Sequence, residues 1–263
     1  MSDSLFAIET PPTQNLRDSV FFSWNLLHGG GSRIAEIALV LAEADPDLVV
    51  LTEFRSGAGG ALRGLLADRG LEHQLTTEAH RTQNGMLVAA RTPLHRAEIA
   101  GERPGDRLLL ALATDWQLAI TAAHLPCDVP SDPRFSSLNR LWKNLVKSSK
   151  TTTYEHHAII GDLNADRAAE VGARPGTPAF RLGQLATLGY VDAFIASGGD
   201  RREISWRGHR GESARLDHTL LSPALAPRLR SASYLGSPLA RRVSDHAPMV
   251  VRLKASDGRA RAS

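Results

Sequence analysis

The sequence has one cysteine, Cys127, in 263 residues. An intrachain disulfide is therefore excluded, and so is a metal cluster built from cysteines. No apolar stretch approaches the length of a membrane-crossing helix, and no basic segment followed by an apolar run appears between Met1 and Asp18. Neither a membrane partner nor a secretion signal is expected, and a cytoplasmic location is the default. Charge of one sign is also scarce. Lys and Arg total 31 against 28 Asp and Glu, a formal balance of +3, although the pI is near 9.3. That balance is compatible with a phosphate-bearing partner without requiring one. No internal repeat and no domain-splitting linker is present. Gly-x-Ser-x-Gly is missing too, so His28-Gly29-Gly30-Gly31, which mimics a lipase oxyanion-hole motif, reads as a flexible loop.

What is present is a globular composition, 42% hydrophobic and 22% charged, in a chain long enough for a substantial core. Residues 1–19 read as a flexible leader, 20–253 as one folded body and 254–263 as a disordered basic tail. Val20 to Asn25 is a β-prone run ending on a polar side chain. Ser32 then reads as the N-cap of a helix with Ile34, Ile37, Ala38 and Leu41 on one face, and Pro46 as its end. Asp47 to Glu53 is a short buried strand that again finishes on an acid. Strand, helix, strand is an α/β order. Leu108–Ala113 and Leu118–Ala123 suggest a hairpin whose second strand runs on to His124. Ser137–Lys150 keeps helical spacing, with Lys143, Lys147 and Lys150 on a solvated face. A further helix starts at Thr177-Pro178 and stops at Gly189. His156-His157 reads as a surface pair.

The stretch Ile159-Ile160-Gly161-Asp162-Leu163-Asn164 organises the rest. Three apolar residues run into a glycine, then into carboxylate and carboxamide. In extended backbone Asp162 and Asn164 point to the same side and Leu163 to the other. A carboxylate beside a carboxamide can hold a water and steady an oxyanion, although Gly, Asp and Asn are also ordinary turn formers. With it stand Asn25, Glu53 and His124, each at the end of an apolar run, and Asp217, Asp245 and His246, near the starts of two others. Such a carboxylate-rich set suits an oxygen-loving cation, Mg²⁺ or Mn²⁺, rather than zinc.

The order Trp-Asn, Thr-Glu, Gly-Asp-Leu-Asn, Arg-Leu-Asp-His and Ser-Asp-His resembles the endonuclease/exonuclease/phosphatase superfamily, the deoxyribonuclease I-like fold, over roughly residues 20–253. The resemblance implies a four-layer αββα sandwich of two mixed sheets flanked by helices, with the site at one edge. Gly189 to Phe194, Ile204-Ser205-Trp206 and Ser244 to Pro248 are similar to exonuclease III-type apurinic/apyrimidinic endonucleases. On that likeness Glu53, with Asn25 and Asp245, would hold Mg²⁺. Asp162 would deprotonate the attacking water and Asn164 would hydrogen-bond the phosphate. His246, held by Asp217, would face that phosphate. His124 stands where the abasic-site enzymes carry Tyr, and is closer to the deoxyribonuclease and phospholipase branches. Cys127, Thr52 and Ala214 are further departures, and Ala214 offers a smaller wall for a base-free sugar. Trp206 with Arg207 and Arg210 would contact the substrate. The expectation is thus a monomeric, Mg²⁺-dependent phosphodiesterase cutting duplex DNA. A phosphoesterase of the same fold acting on a small molecule or lipid headgroup is the alternative, and a binding protein without catalysis is a third class.

Overall fold

A computed structural model describes residues 17–77, 80–166, 173–240 and 242–255. Most of the expected leader (1–16) and tail (256–263) lies outside the described residues. The chain enters through β1 (Ser19–Asn25), α1 (Ile34–Ala44) and β2 (Leu48–Phe54), and β1 and β2 pair in parallel. Parallel neighbours cannot be joined by a tight turn and need a crossover of about a dozen residues or more, which α1 supplies. Next come α2 (Gly60–Ala67), β3 (His73–Thr76) and β4 (Gly85–Ala90), then β5 (Leu94–Ala97), β6 (Leu108–Ala113) and β7 (Leu118–His124). The β6–β7 hairpin is antiparallel, as the sequence suggests. A second crossover, α3 (Leu138–Thr151), leads to β8 (His156–Asp162), parallel to β7. After α4 (Pro178–Thr187), β9 (Val191–Asp192) and α5 (Ala193–Ala196), a small pair forms from β10 (Trp206–Arg207) and β11 (Ser213–Ala214). The chain closes with β12 (Asp217–Leu221), β13 (Leu229–Tyr234), α6 (Gly236–Ala240) and β14 (Met249–Leu253).

Two six-stranded mixed sheets result, ordered β13-β14-β1-β2-β4-β3 and β5-β6-β7-β8-β12-β9. Period-2 alternation of apolar side chains builds three cores. Phe21, Val50, Met86 and Val251 of the first sheet meet Leu109, Ile120, Ala158 and Ile160 of the second between the sheets. On the outer face of the first sheet, Phe22, Trp24 and Leu51 pack under Ile37 and Leu41 of α1 and Leu62 of α2. On the outer face of the second, Ile159 and Leu220 pack under Leu141, Trp142 and Leu145 of α3 and Leu182 of α4. The layers are helix, sheet, sheet, helix. Both faces of each central strand are covered, which is why β2, β4 and β8 read as unbroken apolar runs rather than alternating ones. No helix among the described residues is long and apolar enough to cross a membrane.

Three local readings need correction. Ser32 does not cap α1: it sits inside a 3₁₀ turn, Gly31–Arg33, that precedes the helix, and Asp45 in a left-handed conformation ends it before Pro46. His157 is buried, not on the surface; its Nε2 lies 2.8 Å from Thr121 Oγ1 and its Nδ1 contacts the Tyr190 hydroxyl. Its backbone belongs to the covered strand β8, where a polar ring is admitted because both nitrogens have partners. Finally, the strand stops at Asp162, and Asn164 has φ +46, so the simple alternation of an extended chain does not relate these two side chains. The α4 start is as expected: Thr177 accepts from the Phe180 N–H and Pro178 occupies the first turn.

Candidate active site

Strand direction assembles the site. β1 and β2 run in parallel, so Asn25 and Glu53 both arrive at one edge of the first sheet. β7 and β8 run in parallel, and their register places His124 beside Asp162. β12 runs antiparallel to β8, so its first residue, Asp217, lies opposite the last, Asp162. β14 is antiparallel to β1, which brings the preceding Ser244-Asp245-His246 to the same edge. Two hydrogen bonds fasten that segment: Ser244 Oγ donates to Asn25 O at 2.6 Å, and Trp24 Nε1 donates to His246 O at 2.9 Å.

Asp162 is the centre, 2% exposed. Its Oδ1 accepts from the Asn164 N–H and its Oδ2 from Asn25 Nδ2, both at 3.0 Å. The same Oδ2 lies 3.8 Å from Nε2 of His246 and 3.8 Å from Nε2 of His124. Burial raises the carboxyl above its ordinary range, opposed by the His246 charge. His246 Nδ1 meets Asp217 Oδ2 at 2.7 Å. Burial works against a charged imidazole, but the carboxylates of Asp217 and Asp162 outweigh it and hold His246 above its ordinary value. His246 therefore presents an Nε2–H donor to the site. Asp162, Asp217 and His246 are also the three groups whose ligand atoms lie within 4.8 Å of one another. Since His246 is held in its charged form by Asp217, this triad is suited to moving and holding protons.

His124 differs sharply from His246. Burial and the charges of Arg134 and Arg107 push it well below its ordinary value, so its ring is neutral. Arg107 Nη1 lies 3.2 Å from His124 Nδ1, and Arg134 Nη1 donates to His124 O at 2.9 Å. Arg134 Nη2 also lies 3.4 Å from His124 Nε2, so a guanidinium, which can only donate, faces each nitrogen of the ring.

Glu53 occupies an irregularity in the β2–β4 register with φ +56, a strained conformation for a residue with a side chain. Its Oε2 accepts from the His28 N–H at 2.7 Å and lies 3.1 Å from His28 Nδ1. Its Oε1 accepts no hydrogen bond among the described residues. Glu53, Asp245 and the amide oxygen of Asn25, which accepts the Leu27 N–H at 3.0 Å, offer oxygen donors, the type that suits a hard divalent cation and not a soft one. Asp245 Oδ2 also accepts from Trp206 Nε1 at 3.2 Å, and Trp206 forms a bridge with His246, so the tryptophan borders the site. Arg207 and Arg210 stand exposed on the β10–β11 hairpin beside it. Asn164 is engaged, donating Nδ2 to Leu125 O at 2.8 Å while its Oδ1 accepts from Cys127 Sγ. Burial and the charges of Asp162 and Asp132 push the Cys127 thiol up to about 11, so it is inert as a nucleophile at neutral pH.

Sequence reasoning missed three contributors. Ser205, fully buried, donates Oγ to Asp217 Oδ2 at 2.7 Å and accepts the Leu216 and Asp217 N–H groups. Arg134 comes from a loop whose spacing carries no signal. Arg107 was findable: the hairpin register that pairs Leu108 with Ala123 places Arg107 opposite His124, and the His124 N–H donates to Arg107 O.

Residues 22–246 match the endonuclease/exonuclease/phosphatase family. Sequence comparison with curated proteins gave no match. Among solved structures the chain is similar to the 3'-5' exonuclease NExo from Neisseria meningitidis, with TM-score 0.75 and 20% identity over 89% of this chain and 99% of that one. It is similar to the 3' phosphatase NExo from Neisseria bound to a product DNA hairpin, with TM-score 0.76 and 20% identity over 90% and 99%. An AP endonuclease from Archaeoglobus fulgidus gives TM-score 0.72 and 17% identity over 89% and 99%. At such identities these likenesses concern the fold. The family match spans most of the chain and the site described above, and the chain therefore belongs to the endonuclease/exonuclease/phosphatase family, as a hydrolase of phosphoester bonds.

Proposed function

We propose that the protein is a Mg²⁺-dependent DNA phosphodiesterase of the exonuclease III-like kind, acting on duplex DNA by in-line attack of water. The observation that carries this reading is the buried Asp217–His246–Asp162 array at the edge where the two sheets meet. Asp162, with a raised carboxyl, takes the proton of the attacking water. Asn25 and the Asn164 N–H hold that carboxylate in one orientation. His246, kept charged by Asp217, donates from Nε2 to a phosphoryl oxygen as negative charge builds there. Asn164 Nδ2, which gives one hydrogen to Leu125 O, is assigned to the phosphate through its second. Glu53, Asn25 and Asp245 are the residues assigned to the cation, which would neutralise phosphoryl charge when bound. Trp206, Arg207 and Arg210 are assigned to the nucleic-acid backbone, where a flat ring and exposed cations suit stacking and phosphate contact. The structural neighbours, an exonuclease, a phosphatase on a DNA hairpin and an AP endonuclease, favour DNA over a small-molecule phosphate.

The test uses two labelled duplexes, one intact and one with a single abasic-site analogue, with Mg²⁺ and with a chelator. Cleavage is expected with Mg²⁺ only. Asp162→Asn and His246→Ala should each lose at least about 100-fold in rate, in line with the loss of one general acid or base, while keeping the wild-type melting temperature within a few degrees. Binding of the duplex without metal should weaken steeply as salt rises. Cleavage of neither duplex by folded protein would transfer the activity to a small-molecule phosphoester.

A further inference from the structure

His28-Gly29-Gly30-Gly31, a flexible loop by its sequence, is wound along one defined path. Five consecutive residues, Leu27 to Gly31, have positive φ, with +49 at Leu27, +59 at His28 and +80 at Gly29. The first two carry side chains, for which this region is costly and persists only where surrounding contacts impose it. A Cβ on Gly29 would lie 3.0 Å from Arg55 Cβ, so the loop lies tight against the end of β2. The left-handed path turns two successive N–H groups toward two residues assigned to the cation. Leu27 N–H donates to Asn25 Oδ1 at 3.0 Å, and His28 N–H donates to Glu53 Oε2 at 2.7 Å. Successive N–H groups wound in this way hold anionic and polar oxygens in place.

A brace on the His28 side chain holds that path. Arg55 and Asn84 flank the antiparallel β2–β4 pair, just beyond Phe54 and Gly85. Arg55 Nε donates to Asn84 Oδ1 at 2.7 Å, and this fixes which end of the amide faces the loop. Asn84 Nδ2, 3.1 Å from His28 Nδ1, is then the donor and the ring nitrogen accepts. The same Nδ1 lies 3.1 Å from Glu53 Oε2. Two acceptor atoms thus stand together beside the single hydrogen of the His28 N–H, and the negative potential they share favours a cation. The His28 side chain is 61% exposed, so burial does not hold it and the polar contacts do. Resting on the cation assignment made above, we propose that His28 is a positioning residue for the cation site. The Arg55–Asn84–His28 brace sets the affinity of that site by locking the turn that holds Asn25 and Glu53. Without the brace the Glu53 carboxylate would turn freely, and an arriving cation would have to order it. Groups that orient a ligand side chain in this way change metal affinity by about 10- to 100-fold.

The experiment measures Mn²⁺ binding to the metal-free protein, without DNA, from the electron paramagnetic resonance signal of the free ion. Wild type is compared with His28→Gly, His28→Asn and Asn84→Ala, with Glu53→Gln as the control. Metal-free melting temperatures and the Mn²⁺ concentration giving half-maximal DNA cleavage are measured alongside. His28→Gly and Asn84→Ala should each bind Mn²⁺ about 10- to 100-fold more weakly, and the half-maximal Mn²⁺ concentration should rise in proportion. His28→Asn should recover most of the loss, because Asn tolerates positive φ and its Oδ1 takes the place of Nδ1 as acceptor. The metal-free melting temperature of His28→Gly should equal or exceed that of wild type, since glycine adopts a φ of +59 freely. Weaker binding without lower stability is a combination that a merely structural loop does not give. Wild-type affinity in both His28→Gly and Asn84→Ala overturns the proposal, as does an affinity loss that only follows a fall in metal-free stability. A wild type that binds no Mn²⁺, or a Glu53→Gln variant that binds it equally well, overturns the cation assignment and this inference with it. Brace-dependent Mn²⁺ binding by a wild type that cuts no DNA removes the DNA reading and leaves the brace standing.

Discussion

Asp217 and Asp192 lie on neighbouring antiparallel strands of the second sheet, and each contacts a histidine for a different purpose. Asp217 raises His246 at the site. Replacing it by Asn removes that influence, so the His246 donor should be lost at lower pH, and the alkaline limb of the pH–rate profile should move down. The acidic limb, set by Asp162, should move less. An unchanged alkaline limb in Asp217→Asn would detach His246 from the role given it. Asp192 is structural. It lies 2.9 Å from Arg215 Nη1 and 3.2 Å from His218 Nδ1, and all three side chains are buried. Burial would raise its carboxyl, yet the His218 hydrogen bond and the charges of His218 and Arg215 hold it well below the usual range. Its stabilising effect is thus complete above the ordinary carboxylate pKa near 4 and is lost as pH falls through the depressed folded value. Asp192→Asn strands the Arg215 charge and should cost about 3–5 kcal/mol in urea unfolding at neutral pH. The deficit should shrink in acid.

The β7–β8 pair sets the distance between His124 and Asp162. The two strands approach so closely at Gly161 that a Cβ there would lie 2.2 Å from the Ala123 carbonyl oxygen, and the φ of +138 is one that side chains rarely adopt. Gly161 is therefore needed for close strand approach immediately before the catalytic carboxylate. Gly161→Ala should cost at least about 1–3 kcal/mol and depress turnover further, by shifting Asp162 against both Nε2 atoms. Wild-type stability and turnover in this variant would show that the ladder tolerates a Cβ here. The hairpin β6–β7 was legible from its two apolar runs, and α4 from Thr177-Pro178 and Gly189, since these signals are local. The entry to α1 was not. Arg33 bonds to the carbonyl oxygens of Leu26 and Leu27 and contacts that of Val243, so distant backbone decides how the preceding turn winds.

Across the whole molecule, the site straddles two sheets that share one core. Asn25 and Glu53 come from one, and His124, Asp162 and Asp217 from the other, so inter-sheet packing positions the halves against each other. Ile160 lies in that core two residues before Asp162. Ile160→Ala should cost about 2–5 kcal/mol, seen as a lower urea midpoint, while the pH limbs stay where they were. A shifted pH profile would mean that the core tunes the site's charges and does not merely hold them.

Residue type and local period determined a good deal by themselves. Apolar runs ending on Asn25, Glu53, His124 and Asp162 announced buried strands with chemistry at their ends, and the motif order carried the family. Those properties depend on a residue and its near neighbours. The pairing of Asp217 with His246, the neutral state of His124, the buried partners of His157 and the convergence of Arg107 and Arg134 were decided only in three dimensions. Each depends on which strand lies beside which, in what register and how far from water. Electrostatic state follows from those distances and from burial, and a linear string of residues contains neither.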